Sequence, residues 1–129
     1  MSTFLKTTRG PRAVGPYSTV AVHDGIAFLS GVIGIVPESG KLAEGGTLAQ
    51  ARQVFDNLRV ILEEMGLDMS DVLKTTVFLT DIGEFGAVNA LYGEAFCEPY
   101  PARSCVQVAM LPLGAGIEIE AIAACREVE

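Results

Sequence analysis

The sequence predicts an α/β (α+β) domain of element order βββαβαββ, with a mixed sheet and two helices on one of its faces, and three observations carry that expectation. Apolar residues from Leu48 to Met65 recur at steps of three and four, the period of an amphipathic helix. The runs Val72 to Thr80 and Ile117 to Ala124 alternate from residue to residue, the period of a strand with one buried face. Clusters of Gly, Pro and Asp punctuate the chain between these runs. With 129 residues and no internal repeat or linker, residues 1–129 read as a single domain.

Taken in order, the chain starts with a short extended stretch near Phe4 to Thr8. Ser18 to His23 and Ile26 to Ser30 flank the turn residues His23-Asp24-Gly25, a hairpin signal. Gly31 to Gly46, with Pro37, Gly40 and Gly45, reads as a long loop. Thr47 is the expected N-cap of the first helix, whose stripe is Leu48, Ala51, Phe55, Leu58, Leu62 and Met65, ending at Gly66. In the following strand Leu73, Thr75, Val77 and Leu79 share one face and Lys74, Thr76, Phe78 and Thr80 the other. Asp81 and Glu84 form a capping pattern ahead of a second helix with the stripe Phe85, Val88, Tyr92 and Phe96, weakened by Gly86 and Gly93. Ala102 to Val108 and Ile117 to Ala124 complete the strands, separated by Pro112, Gly114 and Gly116. Two helices cover one sheet face, so the other face needs a different cover, and a partner sheet is the natural one.

Composition narrows the function classes. Half of the residues are apolar and 19% are charged, an apolar balance for a small domain that favours homo-oligomerisation. Nine Lys and Arg against sixteen Asp and Glu give a net charge of −7, and the basic residues form no dense patch, which argues against a nucleic-acid surface. An anionic small molecule therefore needs a local cation at its site. The longest apolar stretch, Ile26 to Val36, is interrupted by Ser30, Gly31 and Gly34 and is too short to span a bilayer. The first residues lack the apolar core of a secretory signal, so a cytoplasmic protein is expected. Cys97, Cys105 and Cys125 show no metal-like spacing and read as reduced thiols. His23 is the single histidine, which opposes Ser-His-Asp catalysis, paired-histidine ribonuclease chemistry and a histidine-rich metal site.

The charged residues of the last two strands invite chemistry. Arg103 and Cys105 point to one face of their strand, Glu118 and Glu120 point together from the strand that follows, and arginine and glutamates are expected on one sheet face. A structural ion pair or two solvated glutamates would account for them. Alternatively, the arginine fork grips a carboxylate through two parallel hydrogen bonds while a glutamate accepts a proton from water. The residues alone do not choose between Glu118 and Glu120.

Pro101-Ala102-Arg103-Ser104-Cys105-Val106, followed by Met110-Leu111-Pro112 and Ile117-Glu118-Ile119-Glu120-Ala121, resembles the C-terminal signature of the RidA-type reactive intermediate deaminases, the YjgF-like family. Gly15-Pro16-Tyr17-Ser18, Ser30-Gly31, Gln50-Ala51-Arg52-Gln53 with Asn57-Leu58, Lys74-Thr75-Thr76-Val77-Phe78 and Val88-Asn89-Ala90 match in order and spacing, so the likeness runs nearly end to end. The resemblance implies a chorismate-mutase-like fold and a homotrimer whose sheets form a central barrel, with sites between subunits. It further implies that Arg103 binds a substrate carboxylate and Glu118, the first glutamate of the motif, directs water, while Tyr17, Ser30, Gly31, Asn89 and Cys105 line the pocket. The implied substrates are 2-aminoacrylate, 2-aminocrotonate and their imine tautomers, hydrolysed to 2-keto acids and ammonia without metal or other cofactor. Two other readings remain: a ribonuclease or translation inhibitor, and a non-catalytic small-acid-binding or chaperone-like trimer.

Overall fold

The computed structural model describes residues 1–125. Six strands form one sheet in the spatial order β1-β2-β3-β8-β6-β7: β1 Thr3–Leu5, β2 Val20–His23, β3 Ile26–Ile33, β6 Val72–Leu79, β7 Ala102–Gln107 and β8 Ile117–Ala124. All neighbours are antiparallel except β6 and β7, so the sheet is mixed. Helix α1, Thr47–Glu64, and helix α2, Phe85–Ala95, pack on one face, and their apolar stripes bury Val54, Leu58, Ile61, Leu62, Val88 and Tyr92. The sheet answers with Ala27, Leu29, Val77, Leu79, Ile117 and Ile119. No helix among the described residues is long and apolar enough to cross a membrane.

Several local expectations change. The stretch expected as a plain loop from Gly31 contains the end of β3 and a small hairpin, β4 Ile35–Val36 with β5 Lys41–Leu42. Strands of two residues are too short to leave a periodic trace. Gly46, not Thr47, occupies the N-cap position of α1, with φ of 83° that suits glycine. Leu73 does not join Thr75 and Val77 in the core. A register shift between Val72 and Lys74 makes an irregularity that buries Val72 and leaves Leu73 48% exposed.

The long helix also fixes the strand ends by a polar contact. Asn57 is 1% exposed, and its Nδ2 donates to the carbonyls of Ile35 at 2.8 Å and Ile33 at 3.3 Å. Its Oδ1 accepts from Gln53 Nε2 at 2.9 Å. Both carbonyls lie where β3 passes into the hairpin, and a buried carbonyl without a donor is costly. Replacing Asn57 by Ala should therefore cost about 1–3 kcal/mol of stability, read as a lower urea midpoint at unchanged slope.

Candidate functional site

Two separate clefts hold the residues singled out from the sequence, apart from Cys105. The larger, of about 530 Å³, opens beside β3 and β8 and is lined by Tyr17, Ser30, Gly31, Glu118 and Glu120, with Arg12 and Leu113 also in its wall. Strand β3 makes this possible through a bulge. Leu29 pairs with Ala121 and Val32 with Ile119, so Ser30 and Gly31 together oppose Glu120. The Ser30 hydroxyl donates to the Ser18 carbonyl at 2.7 Å and its amide to the Thr19 carbonyl at 2.9 Å, which ties the strand to the segment carrying Tyr17. The Glu118 carboxylate occupies the space that a side chain at position 31 would take: a Cβ there would lie 2.8 Å from its Cδ and would displace it.

Glu118 sits at a half-buried position on β8, between Ile117 and Ile119, which are fully in the core. Burial pushes its carboxyl above the usual range, and the nearby Glu120 charge pushes the same way. A carboxyl so placed is a stronger base than an ordinary glutamate.

The second cleft, of about 430 Å³, lies at the other end of the sheet and is lined by Asn89, Tyr92, Tyr100 and Arg103. Arg103 sits over the aromatic rings of α2, with Cζ 4.7 Å from the Tyr92 ring centroid and 5.2 Å from that of Phe85. Its Nη1 donates to Asn89 Oδ1 at 2.7 Å. Tyr92 is held in turn by a 2.7 Å hydrogen bond between its hydroxyl and Thr75 Oγ1. Phe85, Asn89 and Tyr92 fall at i, i+4 and i+7, one face of a helix, and that spacing was the available signal for the arginine cradle. Cys105 packs half-buried against the core on the same face, and burial pushes its thiol up while the Arg103 charge draws it down. It is a thiol, not an activated thiolate.

The expectation that Arg103 and the two glutamates share one sheet face is overturned. Strand β6 lies between β7 and β8, and Thr75 is aligned with both Arg103 and Ala121, whereas Phe78 is aligned with Glu118. Aligned residues point to the same side of a sheet, and neighbours along a strand point to opposite sides. Arg103 and Cys105 therefore face the helices, while Glu118 and Glu120 face away from them. Within one chain Asn89 joins Arg103, and Tyr17, Ser30 and Gly31 join Glu118. His23 is in neither group: it sits exposed at the β2–β3 turn, beside Ser2 and Asp24.

Known proteins resemble this arrangement closely. The family described as Endoribonuclease L-PSP matches residues 7–125. A mouse protein, Mus musculus 2-iminobutanoate/2-iminopropanoate deaminase, is 45% identical over 119 residues, covering 92% of this chain and 88% of its own. The crystal structure of YEO7 from yeast superposes with a TM-score of 0.93 at 40% identity, covering 98% of this chain and 100% of that one. RidA from the Antarctic bacterium Psychrobacter sp. PAMC 21119 superposes with a TM-score of 0.90 at 42% identity, covering 95% and 98%.

The raised Glu118 carboxyl has a consequence for stability. A carboxyl whose value rises on folding stabilises the protein most below the ordinary glutamate range, and that contribution is lost as pH rises through the raised value. Glu118→Gln mimics the neutral form, so it should unfold at a higher urea concentration than the wild type at pH 8. The gap should close as the pH falls toward about 4.

Proposed function

The chain belongs to the Endoribonuclease L-PSP family, with the RidA-type reactive intermediate deaminases among its relatives, and from that membership we propose that it hydrolyses 2-imino acids and their enamine tautomers to 2-keto acids and ammonia. The observation that carries the reading is the pair of half-sites on opposite faces of one sheet: a cradled arginine suited to a carboxylate, and a bulge-framed, half-buried glutamate suited to water. Arg103 and Glu118 are separated by two strand spacings, about 9–10 Å, as well as by the sheet itself. A three- or four-carbon imino acid cannot touch both within one chain. The working site is thus assembled between copies, with Arg103 from one subunit and Glu118 from its neighbour, in the homotrimer that the family resemblance implies. The face of the sheet away from the helices supports this, because Phe28 and Val106 stand exposed on it.

In such a site the substrate carboxylate lies on the Arg103 fork, in parallel hydrogen bonds. With the imine protonated at nitrogen, Glu118 takes a proton from water as the water oxygen bonds to carbon and the C=N pair moves to nitrogen, giving a carbinolamine. Glu118 returns that proton to nitrogen, then takes the hydroxyl proton as the C–N bond breaks toward nitrogen and C=O forms. The proton leaves on the departing ammonia as ammonium, the carboxylate is restored and the keto acid is released. Orientation and one proton-transferring group suffice, because such imines also hydrolyse unaided. Tyr17, Ser30 and Gly31 wall the glutamate's side and Asn89 the arginine's side, while Cys105 packs against the core on the arginine's strand. Three unpaired cysteines support a reducing compartment, and we place the protein in the cytoplasm. The charge of −7 and the remoteness of His23 from both clefts weigh against RNA cleavage.

The test is subunit mixing in a coupled assay with threonine dehydratase. Arg103→Ala and Glu118→Gln should each lower the enhancement of keto acid formation by on the order of 10²-fold. Refolding the two inactive variants together, one to one, should restore roughly a quarter of the wild-type sites. Each native site needs the intact arginine of one variant beside the intact glutamate of the other, and random assembly supplies each half the time. No acceleration by the wild type would sink the deaminase reading. Full activity in either homogeneous variant would sink the assigned role of that residue, and no recovery on mixing would sink the shared site.

A further inference from the structure

Glu64 ends helix α1, and its carboxylate turns toward the N-terminal segment, leaving 19% of the side chain exposed. Its Oε1 accepts from the Arg9 amide at 2.7 Å and the Thr7 hydroxyl at 3.0 Å, and the Thr8 amide lies 3.2 Å from each carboxylate oxygen. The Arg9 guanidinium adds an ion pair, Nε to Glu64 at 3.8 Å, and reaches Glu63 at 3.6 Å through Nη2. Burial opposes the charge on Glu64, but the amides of Arg9 and Thr8, the Thr7 hydroxyl and the Arg9 charge outweigh it and hold the carboxyl below its usual range. One side chain thus gathers two consecutive backbone amides, a hydroxyl and a cation.

Two links lead from this anchor to the larger cleft. Thr7 Oγ1 accepts from the Gly10 amide at 2.8 Å, closing a turn so tight that a Cβ on Gly10 would lie 2.7 Å from that oxygen and 3.2 Å from Ile61. Directly after the turn come residues 11–17, which have neither helix nor strand, are mostly exposed, and supply Pro11, Arg12, Val14 and Tyr17 to the cleft. The second link runs through the Thr7 amide, which donates to Thr19 Oγ1 at 3.0 Å. The Thr19 carbonyl accepts from the Ser30 amide beside Gly31 and Glu118. Both ends of the 11–17 wall are thereby referred to one carboxylate on α1.

We propose that Glu64 is a positioning residue for substrate binding, fastening Thr7 to Arg9 onto the end of α1 so that the 11–17 wall stands in place against the cleft before substrate arrives. The inference rests on the deaminase reading above. An irregular segment without this anchor must be ordered when substrate binds, and that cost weakens binding. Glu118 and its surroundings on β8 are untouched, so the bond-making step keeps its rate. The expected signature is a change in KM without a matching change in kcat.

Initial rates of keto acid formation over a range of 2-iminobutanoate concentrations test this in four proteins besides the wild type. Glu64→Ala and Thr7→Val should each raise KM roughly five- to ten-fold and leave kcat within about two-fold. Glu64→Gln, whose amide oxygen still accepts from the Arg9 amide and the Thr7 hydroxyl, should restore KM to within about two-fold of wild type. The double variant Glu64→Ala/Thr7→Val should be no worse than Glu64→Ala alone, since both remove one link. An unchanged KM in a folded, active Glu64→Ala protein overturns the proposal, as does a loss confined to kcat or a double variant whose losses multiply. Should Glu64→Ala fail to fold, Thr7→Val and Glu64→Gln decide by the same criteria. A wild type that does not accelerate hydrolysis overturns the deaminase reading itself, a different outcome from an active wild type with insensitive variants.

Discussion

Strand β8 carries Ile117, Ile119, Ala121 and Ala123 into the core and turns Glu118, Glu120 and Ile122 the other way. This alternation, imposed by the pleat, fixes where each charge in the protein can act. The glutamates cannot enter the helix-covered layer, where an unpaired carboxylate would be strongly disfavoured. The arginine of β7, on the opposite alternation, cannot leave it without losing its stack on Tyr92 and its bond to Asn89. An arginine and two glutamates are in this way held apart inside the chain, where side by side they would neutralise each other as an ion pair.

The two clefts are built by different physics. On the arginine side, rigidity comes from helix α2: Phe85, Asn89 and Tyr92 present a flat apolar and polar bed, and the Thr75 hydroxyl fixes the tyrosine beneath. On the glutamate side, space is made by subtraction. The bulge in β3 and the missing side chain at Gly31 leave room for a carboxylate that the pleat would otherwise crowd. The raised Glu118 carboxyl follows from that tight, half-buried seat and from Glu120 two residues on.

Much of the fold is legible in the sequence, since helix α1 and strand β8 bury apolar stripes at their own periods and β6 keeps its alternation from Thr75 to Leu79. Bounds of β8 fall where its alternation begins and ends. What escapes is set by contacts distant in sequence. Chain order suggests that β7 and β8 are neighbours, yet α2 makes a crossover that lays β7 parallel to β6 on the outer edge, and β8 returns to the far side of β6. That single topological fact reverses the relation of Arg103 to Glu118, and no local pattern records it. The bonds of Asn57 to the carbonyls of Ile33 and Ile35 likewise join residues more than twenty positions apart, beyond the reach of any helical period.

The place of β8 also bears on how the chain folds. It is the last strand in the described sequence and a central one in the sheet, pairing Ile26 with Ala124 on one side and Leu79 with Ile117 on the other. Contacts joined over so long a stretch of chain form slowly, because the loop must close before they contribute. During synthesis β3 and β6 have no partner on their inner edges until β8 has been made. The nascent chain therefore carries two open strand edges of high β-propensity, the kind of surface that chaperones shield and that aggregates exploit. Completion of the sheet, and with it the seat of Glu118, waits on the synthesis of β8.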